Sequence, residues 1–181
     1  MANRTFKNDR LRAVRVVDVP LEEVSGICAH RSKKGLTRLI AVGDRLAKIA
    51  WFSSPRSNEG EIDWHTREIS ELSDSMLPKH DPQIEAISAD GLGRIALLQE
   101  TPPRVELIDP KTSKVVASID LAVEGRSELA QAWSDPRGSR GEGMALLPAG
   151  HLLIAKEKKP AALIEFGPPQ SRSRGSSAAA R

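Results

Sequence analysis

Apolar residues along this chain fall into short runs that often alternate with polar ones, and turn-forming residues separate them. Residues 12–19 read R-A-V-R-V-V-D-V, a β-branched run that Pro20 ends. Similar runs cover 24–29, 38–42, 46–52, 61–69 (alternating around Ile62, Trp64 and Ile69), 84–89, 94–99, 104–108, 115–121, 141–146, 151–156 and 162–166. Between them stand turns such as Asp90-Gly91-Leu92-Gly93, Asp109-Pro110-Lys111-Thr112 and Pro148-Ala149-Gly150, whose residues supply the bends that strands need. No long stretch repeats every 3.6 residues. One helical turn is expected within 125–133 and a loop over 134–141. Many short strands with no helices between them predict an all-β antiparallel fold.

The strands also repeat. Residues 84–100, I-E-A-I-S-A-D-G-L-G-R-I-A-L-L-Q-E, align without a gap to residues 141–157, G-E-G-M-A-L-L-P-A-G-H-L-L-I-A-K-E. Glu85 then matches Glu142, Gly93 matches Gly150, Glu100 matches Glu157 and Pro103 matches Pro160. A more degenerate copy starts at Val24-Ser25-Gly26-Ile27 and reaches Asp44, with Ser25 in the place of the first glutamate. Units of this length, each holding about four strands, are what radially repeated sheets require. The expected architecture is therefore about three four-stranded antiparallel blades of a β-propeller, each beginning with its innermost strand. Residues 12–19 would be an outer strand that closes the ring. Propellers have at least about four blades, so the arc is expected to be incomplete or closed by oligomerisation, with self-association through open blade edges. The expected division is a flexible N-terminus over 1–9, a partial propeller over 10–167 with repeats starting near 24, 84 and 141, and a disordered Ser/Arg/Ala-rich tail over 168–181.

Charge and composition narrow the partners. Lys and Arg total 27 against 24 Asp and Glu. The tail holds Arg172, Arg174 and Arg181 and no acid, so removing those three leaves 24 of each sign before residue 168. The basic excess belongs to the tail and not to a face, which argues against nucleic acid. Aromatic residues are 3% of the chain and Tyr is absent, leaving few stacking platforms for bases. No run approaches the roughly 20 apolar residues of a membrane span, and the charged N-terminus lacks a secretory apolar run. The chain is expected to be cytoplasmic, with no membrane partner. Cys28, the lone cysteine, lies in an apolar strand and reads as a buried inert thiol.

The repeated glutamates are the candidate chemistry. In an antiparallel hairpin turning on Ala149-Gly150, Glu142 would lie opposite Glu157, and Glu85 opposite Glu100. At about 4 Å and an effective dielectric near 20, two such carboxylates repel by roughly 4 kcal/mol. A cation, a neighbouring base, a proton or open water must offset that. Innermost strands line a propeller's channel, so Glu85, Glu100, Glu142 and Glu157, with Asp44 closing the first hairpin, could converge at one mouth. A ring of carboxylate oxygens suits Ca²⁺. Solvated or salt-bridged strand ends, with Lys156, Lys158, Arg45 and Arg104 near in sequence, are the plainer alternative. Arg137 and Arg140 could meet an anion near the mouth, or belong to a solvated loop. The four histidines show no metal-ligand spacing.

The motif of 84–100 and its partner at 141–157, together with L-E-E-V-S-G-I at 21–27, resembles the blade motif of β-propeller phytases and of the related SdiA-regulated and esterase-like-activity-of-phytase propellers. The resemblance covers about residues 10–167. It implies channel-facing acids that bind Ca²⁺, which holds phosphate and activates water; by position these are Glu85, Glu100, Glu142 and Glu157. Ala86 stands where those families carry glycine, and Gln99 and Lys156 stand where a second acid is common. Two functions follow as expectations. One is a module binding an unidentified small molecule or a partner at the channel mouth. The other is a Ca²⁺-dependent phosphoester or ester hydrolase. A fragment of a longer propeller without a function of its own is the third reading.

Overall fold

The structure is a computed structural model that describes residues 16–31, 37–53, 62–69, 82–90, 93–112, 114–135, 140–147 and 150–167. Eleven strands and one helix lie among them, and the chain is all-β with three antiparallel sheets. The first sheet holds β1 (Val24–Arg31), β2 (Thr37–Gly43), β3 (Lys48–Ser53) and β4 (His65–Glu68), neighbours in chain order. The second holds β5 (Ile84–Ala89), β6 (Ile95–Gln99), β7 (Arg104–Ile108) and β8 (Val115–Asp120), again in order. The third holds β9 (Gly143–Leu146), β10 (Leu152–Lys156) and β11 (Ala162–Phe166). A short helix, α1 (Glu128–Ser134), connects the second sheet to the third.

Each sheet is a meander, and the first strands of the three sheets lie side by side, β1 against β5 and β5 against β9. That is the arrangement of propeller blades around an axis, with β1, β5 and β9 innermost. Two apolar cores hold the blades together. Ile40, Val42 and Ile49 of blade 1 meet Ile84, Ile87, Ile95, Leu97 and Ile108 of blade 2. Ala86, Ala96, Leu98 and Val105 on the other side of blade 2 meet Leu152 and Ile154 of blade 3, with Leu121 and Trp133 filling the outer part. Blade 2 is therefore apolar on both faces, and every residue of β6 is buried.

The innermost strands touch closely. A Cβ added at Gly26 would lie 2.9 Å from the backbone nitrogen of Ile87, so β1 meets β5 where a side chain is missing. Ser25 joins the same contact by donating its hydroxyl to the carbonyl of Ile84. Helix α1 starts on Ser127, whose side chain accepts the Ala130 N–H at 3.2 Å, a standard N-cap. It buries Ala130 and Trp133, and the Trp133 indole donates to the Leu121 carbonyl at 3.0 Å.

One expectation about the strands changes. Val16 to Val19 belong to no ladder, and Val16 is 84% exposed; the outer strand expected at 12–19 is not formed over these four residues, and 12–15 lie outside the described ones. The third blade has three strands among the described residues, in keeping with the incomplete arc that the repeats predict. Alternation of apolar residues marks what can form a strand, but a strand also needs a neighbour's free edge. The termini assigned to 1–9 and 168–181 lie outside the described residues.

Candidate functional site

Strands β1, β5 and β9 begin at one end of the arc, and the β2–β3, β6–β7 and β10–β11 loops cluster there with them. This mouth end carries all the acids singled out from the sequence. Two blades build it with the same backbone device. Glu23 and Gln83, each just before an innermost strand, adopt left-handed φ values of 46° and 48°. The carbonyl of Glu23 accepts from the Asp44 N–H at 3.2 Å, and that of Gln83 from the Glu100 N–H at 3.0 Å. Neither residue is glycine, so both pay the steric cost of that conformation, and the repeated carbonyl contact is what it achieves.

A β-bulge follows in each. The β1–β2 register shifts between Val24 and Gly26, and the β5–β6 register between Ile84 and Ala86. Ser25 and Glu85 are the extra residues, so the repeat alignment that equated them holds in space. Bulges re-aim the side chain they carry. They also correct the expected pairing. Ile84 lies opposite Gln99, and Glu85 is not placed opposite Glu100. In blade 3, Ala155 pairs Gly143 and the Glu142 N–H donates to the Ala155 carbonyl at 2.9 Å. Glu142 is thus bonded across to Ala155 and is not placed opposite Glu157. The directly opposed carboxylates, and their large repulsion, are absent from both hairpins.

An Oε atom of Glu100 accepts the Arg140 backbone N–H at 2.8 Å. Glu85 and Glu142 have interaction partners of their own. Glu157 is exposed. Asp44 is half-buried, with one carboxylate oxygen that meets no hydrogen-bond donor among the described residues. Among the described residues, no three His, Cys, Asp or Glu side chains gather as a metal ion would require.

Arg140 is the strongest organiser of this end. Its guanidinium, read from sequence as an anion contact or part of a solvated loop, is buried and taken up by the chain itself. Nε donates to the Trp133 carbonyl at 2.8 Å, and Nη2 to the Asp135 carbonyl at 3.0 Å. Nη1 donates to the Glu100 carbonyl at 3.2 Å and the Thr101 hydroxyl at 3.1 Å. A cation thus satisfies carbonyls at the end of α1, where the helix leaves them unpaired and negative, and ties them to the β6–β7 loop. Arg137 lies outside the described residues.

At the opposite end the structure adds a feature that sequence reasoning missed. His30 and Arg38 are cross-strand partners on β1 and β2. His30 is buried, and neither ring nitrogen finds a hydrogen bond among the described residues; the same holds for Nε of Arg38. With Ile40, Ile49, Trp51, Ile95 and Pro110 they line a cavity between blades 1 and 2. Its free space is about 10 Å³, on the order of one water molecule. A further buried carboxylate, Glu106 on β7, accepts from the Ser118 hydroxyl and has Nη1 of Arg104 at 3.8 Å. Arg104 itself holds Asp120 at 2.7 Å. Only the register, with Glu106 opposite Leu97, reveals that this acid points between blades. Burial pushes the Cys28 thiol up to about 11, so it stays protonated near neutral pH and is a poor nucleophile.

Comparisons with known proteins add little to this geometry. No protein-family model matches the chain, and no curated protein does. Among solved structures, a catalytically inactive virginiamycin B lyase from Staphylococcus aureus with quinupristin is similar over 82% of this chain, at 14% identity and a TM-score of 0.38. The chain spans 57% of the length of that structure.

Proposed function

We propose that the chain is a propeller-type binding module whose mouth end presents fixed carboxylates to a cationic ligand or a basic segment of a partner. One observation carries this reading: Glu85, Glu100, Glu142, Glu157 and Asp44 sit at one end of three adjacent blades, and no three of them gather at one point. Separated acceptors suit a ligand with several spread positive or hydrogen-bond-donating groups. A single hard cation needs six to eight oxygens within about 2.6 Å.

The motif resemblance supplies the competing reading, a Ca²⁺-dependent phosphoester or ester hydrolase using the same glutamates. A lysine-rich decapeptide titrated by calorimetry, together with thermal melts in Ca²⁺ and in chelator, separates the two. The binding reading expects saturable peptide binding that weakens with salt and falls several-fold in Glu85→Gln and Glu142→Gln, and a melt indifferent to Ca²⁺. A melt raised by Ca²⁺, by about 2.7 kcal/mol at 100-fold excess over Kd, with no peptide binding, would overturn it in favour of the hydrolase.

A further inference from the structure

We propose that the cavity between blades 1 and 2, at the end away from the mouth, is a site for one small inorganic anion of the chloride class, held by Arg38 and His30. The site does not depend on what the mouth binds. His30 and Arg38 are cross-strand partners on β1 and β2. Alternation along the strands puts them on the same face as Cys28 and Ile40, which meets blade 2. The imidazole reaches across to the second blade: a Cβ added at Gly93 would lie 3.5 Å from its Nε2. His30 is 6% exposed. Both of its ring nitrogens, and Nε of Arg38, are buried without a hydrogen bond among the described residues. Buried donors left unpaired are costly, and an occupant that accepts from both side chains relieves two such costs at once.

The rest of the wall decides what kind of occupant fits. It consists of three isoleucine side chains, Trp51 and Pro110. None of these side chains accepts a conventional hydrogen bond, and an indole N–H can only donate. A water molecule would accept from Arg38 and His30 but turn its own two hydrogens toward apolar side chains, whereas buried water needs polar partners on most sides. An anion has no hydrogens to place. A bond between a guanidinium and an anion is also charge-assisted, roughly twice as strong as a neutral one. Size sets the remaining limit. The free space is about 10 Å³, on the order of one water molecule, so a monatomic ion enters and a phosphate or sulfate does not.

Charge agrees. From Arg31 to Arg38 the sequence carries Arg31, Lys33, Lys34 and Arg38 and no acid. Blade 2 does bring acids to this end, in its β5–β6 and β7–β8 turns, but those turns use them. Asp90 accepts the Arg94 backbone N–H at 2.9 Å and the Arg94 Nε at 2.6 Å, and Asp109 accepts the Lys111 N–H at 2.8 Å. On β4, Arg67 lies 5.6 Å over the Trp51 ring and donates to the Lys111 carbonyl. That contact adds a second guanidinium beside the cavity wall and ties the outer strand of blade 1 to blade 2. An anion at Arg38 supplies the counter-charge that these carboxylates do not, and it fills the seam between the two blades.

The test is thermal melting of the full chain in sodium chloride against sodium gluconate at equal ionic strength, for the parent and Arg38→Gln, with chlorine NMR line widths on the same samples. Gluconate is too large for the cavity. The expected result is a parent whose melting temperature rises with the logarithm of chloride concentration above Kd, as binding to the folded chain requires. Arg38→Gln should melt alike in both salts, and its chloride line broadening should fall several-fold below that of the parent. A parent indifferent to chloride overturns the proposal and leaves the space to water. So does a chloride effect of equal size in Arg38→Gln, which would place the ions on the surface and not in the cavity. Line broadening without a rise in the melt marks an adventitious ion only and overturns it as well. Should Arg38→Gln not melt cooperatively, His30→Phe, which keeps a ring and removes both nitrogens, makes the same comparison.

Discussion

Arg140 shows how much of a single residue's role lies in its position. A guanidinium in the R-G-S-R stretch suggests an anion contact, yet this one is 5% exposed and donates to three carbonyls and a hydroxyl. The reason is positional. Helix α1 ends at Ser134 with carbonyls turned toward the β6–β7 loop, and an arginine six residues on can reach both. Replacing it with Ala leaves those acceptors buried and unpaired, which costs about 1–3 kcal/mol. Arg140→Lys is expected to recover little, because a point charge cannot reproduce the fork that meets separate acceptors. Urea unfolding of both variants checks this. If Arg140→Lys matches the parent, the geometry of the fork is irrelevant and the charge alone matters. His30 and Glu106 were invisible to motif reading for a related reason. Each is a polar residue among apolar neighbours in its strand, and only the packing of blade 1 on blade 2 makes its burial unusual.

At the scale of elements, hydrophobic patterning located nearly all of the strands. The runs at 84–89, 104–108 and 162–166 coincide with β5, β7 and β11, and the other expected strands from residue 24 on differ from the observed ones at their ends. The helical turn expected within 125–133 is α1, shifted to Glu128–Ser134. Register was not legible. The hairpin argument placed glutamate opposite glutamate because it assumed unbroken ladders, and the bulges at Ser25 and Glu85 have no strong sequence mark. Their neighbours do carry one: Gly26 is small because β1 meets β5 there. Gly26→Ala puts a Cβ 2.9 Å from the Ile87 nitrogen, against backbone that cannot rotate away. Overpacking of this kind costs about 1–3 kcal/mol. Gly143→Ala is the matched control, since its nearest contact would be an ordinary 3.5 Å to Ala155. Thermal melts of the two are expected to differ clearly, with Gly26→Ala the lower; equal melting temperatures would mean the blades separate at no cost.

Over the whole molecule, stability should follow the number of blades each strand touches. Contacts between repeated units run only to neighbours, so such arrays open from exposed ends inward. Blade 2 is packed on both faces, and β6 is buried throughout. By contrast β4 is exposed at every residue, and β8 at all but its first. On the first strand of blade 1 and the last strand of blade 3, Ile27 and Leu163 are exposed to solvent. Amide hydrogen exchange on dilute protein should therefore rank β6, with its neighbours β5 and β7, as the slowest, near the free energy of global unfolding. β4, β8 and the outer part of β11 should exchange fastest, through local opening. Uniform protection across all three blades in dilute protein would contradict this picture, since it would require the arc to unfold as one unit with no weaker ends.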